Sequence, residues 1–172
     1  HLIINLLEKV ANQEDLRNNF VFEGYGGCVE TTDNSTMESL KKHIKFRGAY
    51  NRQELPELLK HTDVVILPAI WSETYSLVAD EVLSLGIPII TTNLGAIAER
   101  VREYNVGWVS KSASTDALLE VLASLASNPN ELPRMKANVQ QYPLISYETM
   151  AQRYLQEYTN FEVRQYDRNK SM

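Results

Sequence analysis

Two glutamates, Glu73 and Glu81, are separated by seven residues where an apolar run gives way to a helical pattern. The spacing predicts a helix over Tyr75 to Leu85, with Glu73 just ahead of it and Glu81 about two turns inside. On that helix Ser76, Asp80 and Ser84 form a polar line, and Val78, Val82 and Leu85 an apolar one. Glu81 falls beside Leu77 and Leu85 at the flank, where its carboxylate is partly desolvated. A carboxylate accepts hydrogen bonds through two oxygens and can take both vicinal hydroxyls of a ribose, which Lys or Arg cannot. The free amides at the helix start, around Thr74 to Leu77, suit a diphosphate. Taken singly, each glutamate has a plainer reading. Glu73 would stabilise the helix dipole by about 0.3–1 kcal/mol, and Glu81 would be a solvated flank residue.

Other chemistries find little support. His43 and His61 end helical patterns, where a cation is favoured by the dipole, and no set of metal ligands is visible. Gly24-Tyr-Gly-Gly27 lacks the Lys-Ser/Thr pair of a phosphate loop and the full dinucleotide spacing, and reads as a strand stop. Lys and Arg total 17 against 22 Asp and Glu, a net charge of −5, which argues against a nucleic-acid binder. The single cysteine, Cys28, rules out an internal disulfide framework and suits a reducing compartment. The longest apolar stretch, Val64 to Trp71, is far short of the roughly 20 residues a spanning helix needs. No secretion signal opens the chain, which begins on His1 within a helical pattern and reads as a fragment.

The elements that must position these residues alternate. Helix Leu2 to Val10 precedes strand Phe20 to Glu23; a polar loop, Thr31 to Thr36, leads to helix Met37 to Ile44 and strand Lys45 to Arg47, ending at Gly48. Arg52 to His61 is a helix that tolerates Pro56 near its start. Asp63 to Leu67, β-branched and closed by Pro68, reads as a central parallel strand buried on both faces. Strand Ile87 to Ile90, helix Gly95 to Tyr104, strand Trp108-Val109, helix Thr115 to Ala126 and a helix after Pro133 continue the order. This is an α/β fold: a Rossmann-like parallel sheet with helices on both faces, whose ligand crevice lies beyond the carboxyl ends of the strands. Pro143 breaks the pattern. Residues 1–143 make the domain, 144–163 a terminal amphipathic helix carrying Met150, Tyr154, Leu155 and Tyr158, and 164–172 a disordered tail.

Pro68, Glu73-Thr-Tyr-Ser-Leu-Val78, Glu81, Gly86-Ile-Pro88, Asn93-Leu-Gly95 and Glu99 bring a family into view. In order and spacing they resemble the nucleotide-binding half of retaining GT-B glycosyltransferases of family four, including domains of bacterial surface-polysaccharide enzymes. More coarsely the likeness runs from His1 to about Ala126, with Gly24 and Gly48 at strand ends. The resemblance implies one half of a GT-B fold, its first strand truncated. It gives Glu81 the ribose hydroxyls, Glu73 the donor sugar and the catalytic role, and Thr74, Tyr75, Ser76 and Leu77 the diphosphate; Gly95, Glu99 and Trp71 are further candidates. Glu99 also reads as a helix residue tied to local backbone or to Arg102, and Trp71 as packing.

The implied reaction is transfer of a hexose, with retention, from a nucleotide-diphosphate sugar to a polysaccharide or lipid-linked acceptor, in the cytoplasm, without metal or other cofactor. Membrane association would be at most peripheral, through the full-length protein. Two departures stand out: Ser76 and Ala96 replace usual glycines, which restricts backbone approach to a ligand. The family's Arg and Lys pair and its N-terminal acceptor domain would precede His1, so this fragment alone is expected to be inactive. The alternatives are a non-catalytic α/β interaction or regulatory domain, and a nucleotide-sugar epimerase of GT-B architecture.

Overall fold

The computed structural model describes residues 2–26, 38 and 41–170, the side chains of 147 and 162–170 excepted. The chain divides into two compact units, His1–Tyr142 and Pro143–Met172. The first contains α1 (Leu2–Ala11), α2 (Glu14–Asn19), β1 (Glu23–Tyr25), β2 (Lys45–Gly48), a 3-10 turn (Arg52–Glu54), α3 (Leu55–Leu59), β3 (Val65–Leu67), α4 (Leu77–Ser84), β4 (Ile89–Thr91), α5 (Gly95–Tyr104), β5 (Gly107–Val109), α6 (Thr115–Ser127) and α7 (Glu131–Val139). Residues 41–43 are helical. Gly27, Cys28, the Thr31 to Thr36 loop and residues 37, 39 and 40 of the expected Met37 to Ile44 helix lie outside the described residues.

Every strand pairing is parallel, as the alternation of helices and strands requires. Among the described residues the strands form two sheets, β1-β2 and β3-β4-β5, with helices around them in a Rossmann-like arrangement. Successive side chains of β4 point to opposite faces. Ile89 packs with Val82, Leu83, Ile97 and Val101 from α4 and α5, whereas Ile90 packs with Leu6, Leu118 and Leu122 from α1 and α6. The two cores therefore sit on either side of one strand. Truncating a fully buried residue such as Leu83 to Ala would cost about 2–5 kcal/mol.

Two strand expectations are corrected and one helix is added. The Asp63 to Leu67 run is not central: β3 is half-buried at one edge of its sheet, and β4, flanked by β3 and β5, is the fully buried strand. A β-branched run signals burial but not which neighbours a strand will have. The first strand begins three residues late, at Glu23, because pairing starts with Lys45 N–H donating to the Phe22 carbonyl. Gly24 thus lies inside β1, and Phe20 and Phe22 pack against the core. Helix α2 has no apolar stripe to reveal it, only the buried Leu16.

In the second unit, α8 (Tyr147–Lys170) runs well past the end expected near residue 163, through what the sequence suggested was a disordered tail. No Pro or Gly follows Pro143 to stop it. Tyr154, Leu155, Tyr158 and Phe161 are exposed. Among the described residues no helix is long and apolar enough to cross a membrane.

Candidate functional site

Beyond the carboxyl end of β3, the chain turns through Pro68 to Ser76 before entering α4. Helix α4 starts two residues later than the spacing predicts. Ser76, buried to 9% exposure, has extended backbone, and its hydroxyl accepts from Ala79 N–H at 3.4 Å, so it is the N-cap. The first helical backbone bond runs from Asp80 N–H to the Ser76 carbonyl, which leaves the amides of Leu77 and Val78 without intrahelical acceptors. Tyr75 lies in the turn with Thr74 rather than on the helix.

The turn is held from behind by α5. Ala96 N–H donates to the Glu73 carbonyl at 2.9 Å. Gly95 has φ of +68°, and a Cβ there would stand 2.6 Å from the Glu73 nitrogen. Only glycine both adopts that backbone and lets α5 approach so closely. Two threonines complete the support: Thr91 and Thr92, wholly buried at the end of β4, donate to the carbonyls of Leu67 and Ala69 at 2.8 and 2.6 Å.

The predicted residues separate into groups. The Glu73 backbone is half-buried against α5, and no ion pair joins its carboxylate to another described residue. The Glu81 side chain is only 15% exposed and pairs with Arg52 Nε at 2.7 Å. Partial desolvation of Glu81 follows from its flank position; the Arg52 partner, from the 3-10 turn before α3, has no signal in local spacing. Leu77 and Trp71 are exposed at the rim, with Trp71 62% accessible instead of packed. Glu99 is exposed on α5, and no hydrogen bond or ion pair joins it to Arg102 or to the other candidates among the described residues.

Sequence reasoning placed Asp80 on the polar line of α4 and singled out no role for Arg100. The structure brings them together at 2.7 Å, with Arg100 11% exposed. The Tyr75 hydroxyl donates to Asp80, and the Arg100 guanidinium lies over the Tyr75 ring at 4.6 Å. The hydrogen bond to Asp80, with burial second, raises the Tyr75 phenol above its ordinary pKa. Burial raises that of nearby Tyr142, with Arg100 opposing. Beyond the ends of β1 and β2 lies a cavity of about 280 Å³ lined by Tyr25, Arg47, Gly48, Ala49 and Tyr50, among others. No cluster of three or more metal-ligating side chains occurs among the described residues.

Residues 1–142 match the family described as Glycosyl transferases group 1. A D-inositol 3-phosphate glycosyltransferase from Streptomyces coelicolor is 28% identical over 92 residues, which is 54% of this chain and 20% of that protein. By structure, the chain superposes on WaaG, a glycosyltransferase involved in lipopolysaccharide biosynthesis, with a TM-score of 0.67 and 24% identity, covering 81% of this chain and 38% of the other. It superposes on Anabaena Alr3699/HepE, a structure in complex with UDP and glucose, with a TM-score of 0.72 and 16% identity, covering 90% and 44%. The chain thus spans less than half the length of each of these relatives.

Proposed function

The chain belongs to glycosyl transferases group 1, and from that premise we propose that it holds a nucleotide-diphosphate sugar where the Glu73–Ser76 turn meets α4. Within a longer protein it would transfer a hexose to a polysaccharide or lipid-linked acceptor. The observation that carries this reading is the junction itself. Amides of Leu77 and Val78 without intrahelical acceptors open α4, and the largely desolvated Glu81 carboxylate lies one turn further on. Leaving-group charge builds on a departing nucleotide diphosphate, and helix amides facing it supply preorganised stabilisation.

Arg52 takes one oxygen of Glu81, and a carboxylate retains acceptor sites for ribose hydroxyls beside such a partner. Glu73 serves the donor sugar and is not assigned as a nucleophile. Retention through a front-face, oxocarbenium-like state and independence from metal belong to the same proposal, as does a cytoplasmic setting with the acceptor-binding domain supplied by the rest of the protein.

Calorimetric titration of UDP, GDP and dTDP, with their sugars, tests it; the UDP and glucose of the Anabaena structure make UDP the first to try. Saturable binding, unchanged by a chelator, is expected. Binding of none of them, to this chain or to its full-length parent, favours a non-catalytic domain, and interconversion of donor sugars without an acceptor favours an epimerase.

A further inference from the structure

A diphosphate seat made of backbone amides is only as good as the backbone that presents them. The turn carrying Tyr75 and Ser76 is solvent-exposed on its outer side, with Thr74 and Tyr75 both accessible, and lies outside any helix or strand. Left alone, such a segment samples many conformations, and each would have to be given up on binding.

Three contacts converge on the Tyr75 side chain and its neighbours. The phenol donates to Asp80 on the first turn of α4, Arg100 of α5 binds the same carboxylate at 2.7 Å, and the guanidinium stacks on the Tyr75 ring at 4.6 Å. Arg100 is spent on these contacts and is 11% exposed. Two residues earlier in the turn, Ala96 N–H donates to the Glu73 carbonyl. The turn is therefore pinned to α5 at its backbone and at its one large side chain.

We propose that Arg100 and Asp80 are positioning residues that clamp Tyr75 and so hold the Glu73–Ser76 turn ready for the diphosphate of the donor. The proposal rests on the reading of that turn as a diphosphate seat. A planar guanidinium suits the task, since it can stack on the ring and pair with a carboxylate at once. The clamp acts on the phosphate end of the ligand only. Removing it should weaken a nucleoside diphosphate and leave the nucleoside untouched, a split that general loss of structure would not produce.

The test is a ligand-observed NMR titration of the 172-residue chain with whichever of UDP, GDP and dTDP it binds, and with the matching nucleoside. The native chain, Arg100→Gln and Tyr75→Phe are compared, each checked by thermal denaturation. Tyr75→Phe keeps the stacked ring and loses only the bond to Asp80, at an exposed position where the fold is not at stake. The diphosphate is expected to weaken about tenfold in Arg100→Gln and about threefold in Tyr75→Phe, with nucleoside affinity within twofold of native.

Equal weakening of both ligands, or native affinity for both in both variants, overturns the clamp. Loss in Arg100→Gln alone, with Tyr75→Phe at native affinity, overturns it in favour of direct contact between Arg100 and phosphate. If the native chain binds none of the three diphosphates, the seat itself is wrong and the clamp falls with it; if the native chain binds and only the variants disobey, the seat stands.

Discussion

The Glu81 carboxylate is both largely desolvated and partnered by Arg52. Glu81→Ala should cost about 1.5–3 kcal/mol of nucleotide affinity, roughly 10- to 150-fold in dissociation constant. A 2′,3′-dideoxy nucleotide should lose a similar amount with the native chain and little more with the variant. Additive losses in that cycle would remove the ribose from Glu81. Glu73→Gln, measured in the full-length parent, should lower turnover far more than it weakens donor binding. Tyr75 offers a pH signature. Its phenol pKa is raised, so the protonated form is the one the fold favours, chiefly through Asp80. The stability this contributes is intact below the ordinary phenol pKa of about 10 and is lost as pH climbs through the raised value. Thermal melts of native chain and Tyr75→Phe should therefore diverge less above about pH 10 than at neutral pH; a constant gap would contradict the linkage.

At the scale of elements, the site depends on how closely α5 and β5 approach their neighbours. A Cβ on Gly107 would stand 1.8 Å from the Ile89 carbonyl oxygen, so β4 and β5 can pair only with glycine there. Gly107→Ala should destabilise the chain by about 3 kcal/mol or more, seen as a fall in the denaturant midpoint. Gly95→Ala should do something different. The added carbon meets the Glu73 backbone, and φ of +68° is unfavourable for alanine, so the strain falls on the binding turn. Nucleotide affinity should drop at least tenfold with a modest loss of stability; a stable variant with native affinity would show the α5 contact to be incidental.

For the whole molecule, every buried apolar side chain among the described residues lies between Leu6 and Val139. The unit ending at Tyr142 therefore holds the complete described core. A chain truncated after Tyr142 should melt within about 3 °C of the 172-residue chain and bind the same nucleotide. A large drop would assign the second unit a stabilising role that its exposed Tyr154, Leu155 and Tyr158 do not suggest.

The sequence by itself determined the alternation of elements, the parallel pairing and the junction before α4, because periodicity, glycine and proline positions and the residue types around Glu73 and Glu81 are local properties of the chain. Helices α5 and α6 could be read almost to the residue for the same reason. Tertiary structure alone decided that β4 and not β3 is the buried strand, that Arg52 pairs with Glu81, and that Arg100 reaches back across α4 to Tyr75. Those pairings join residues about 20 to 30 positions apart on different elements. Their geometry follows from how helices pack on the sheet, and local spacing carries no record of which exposed-looking polar residues will meet.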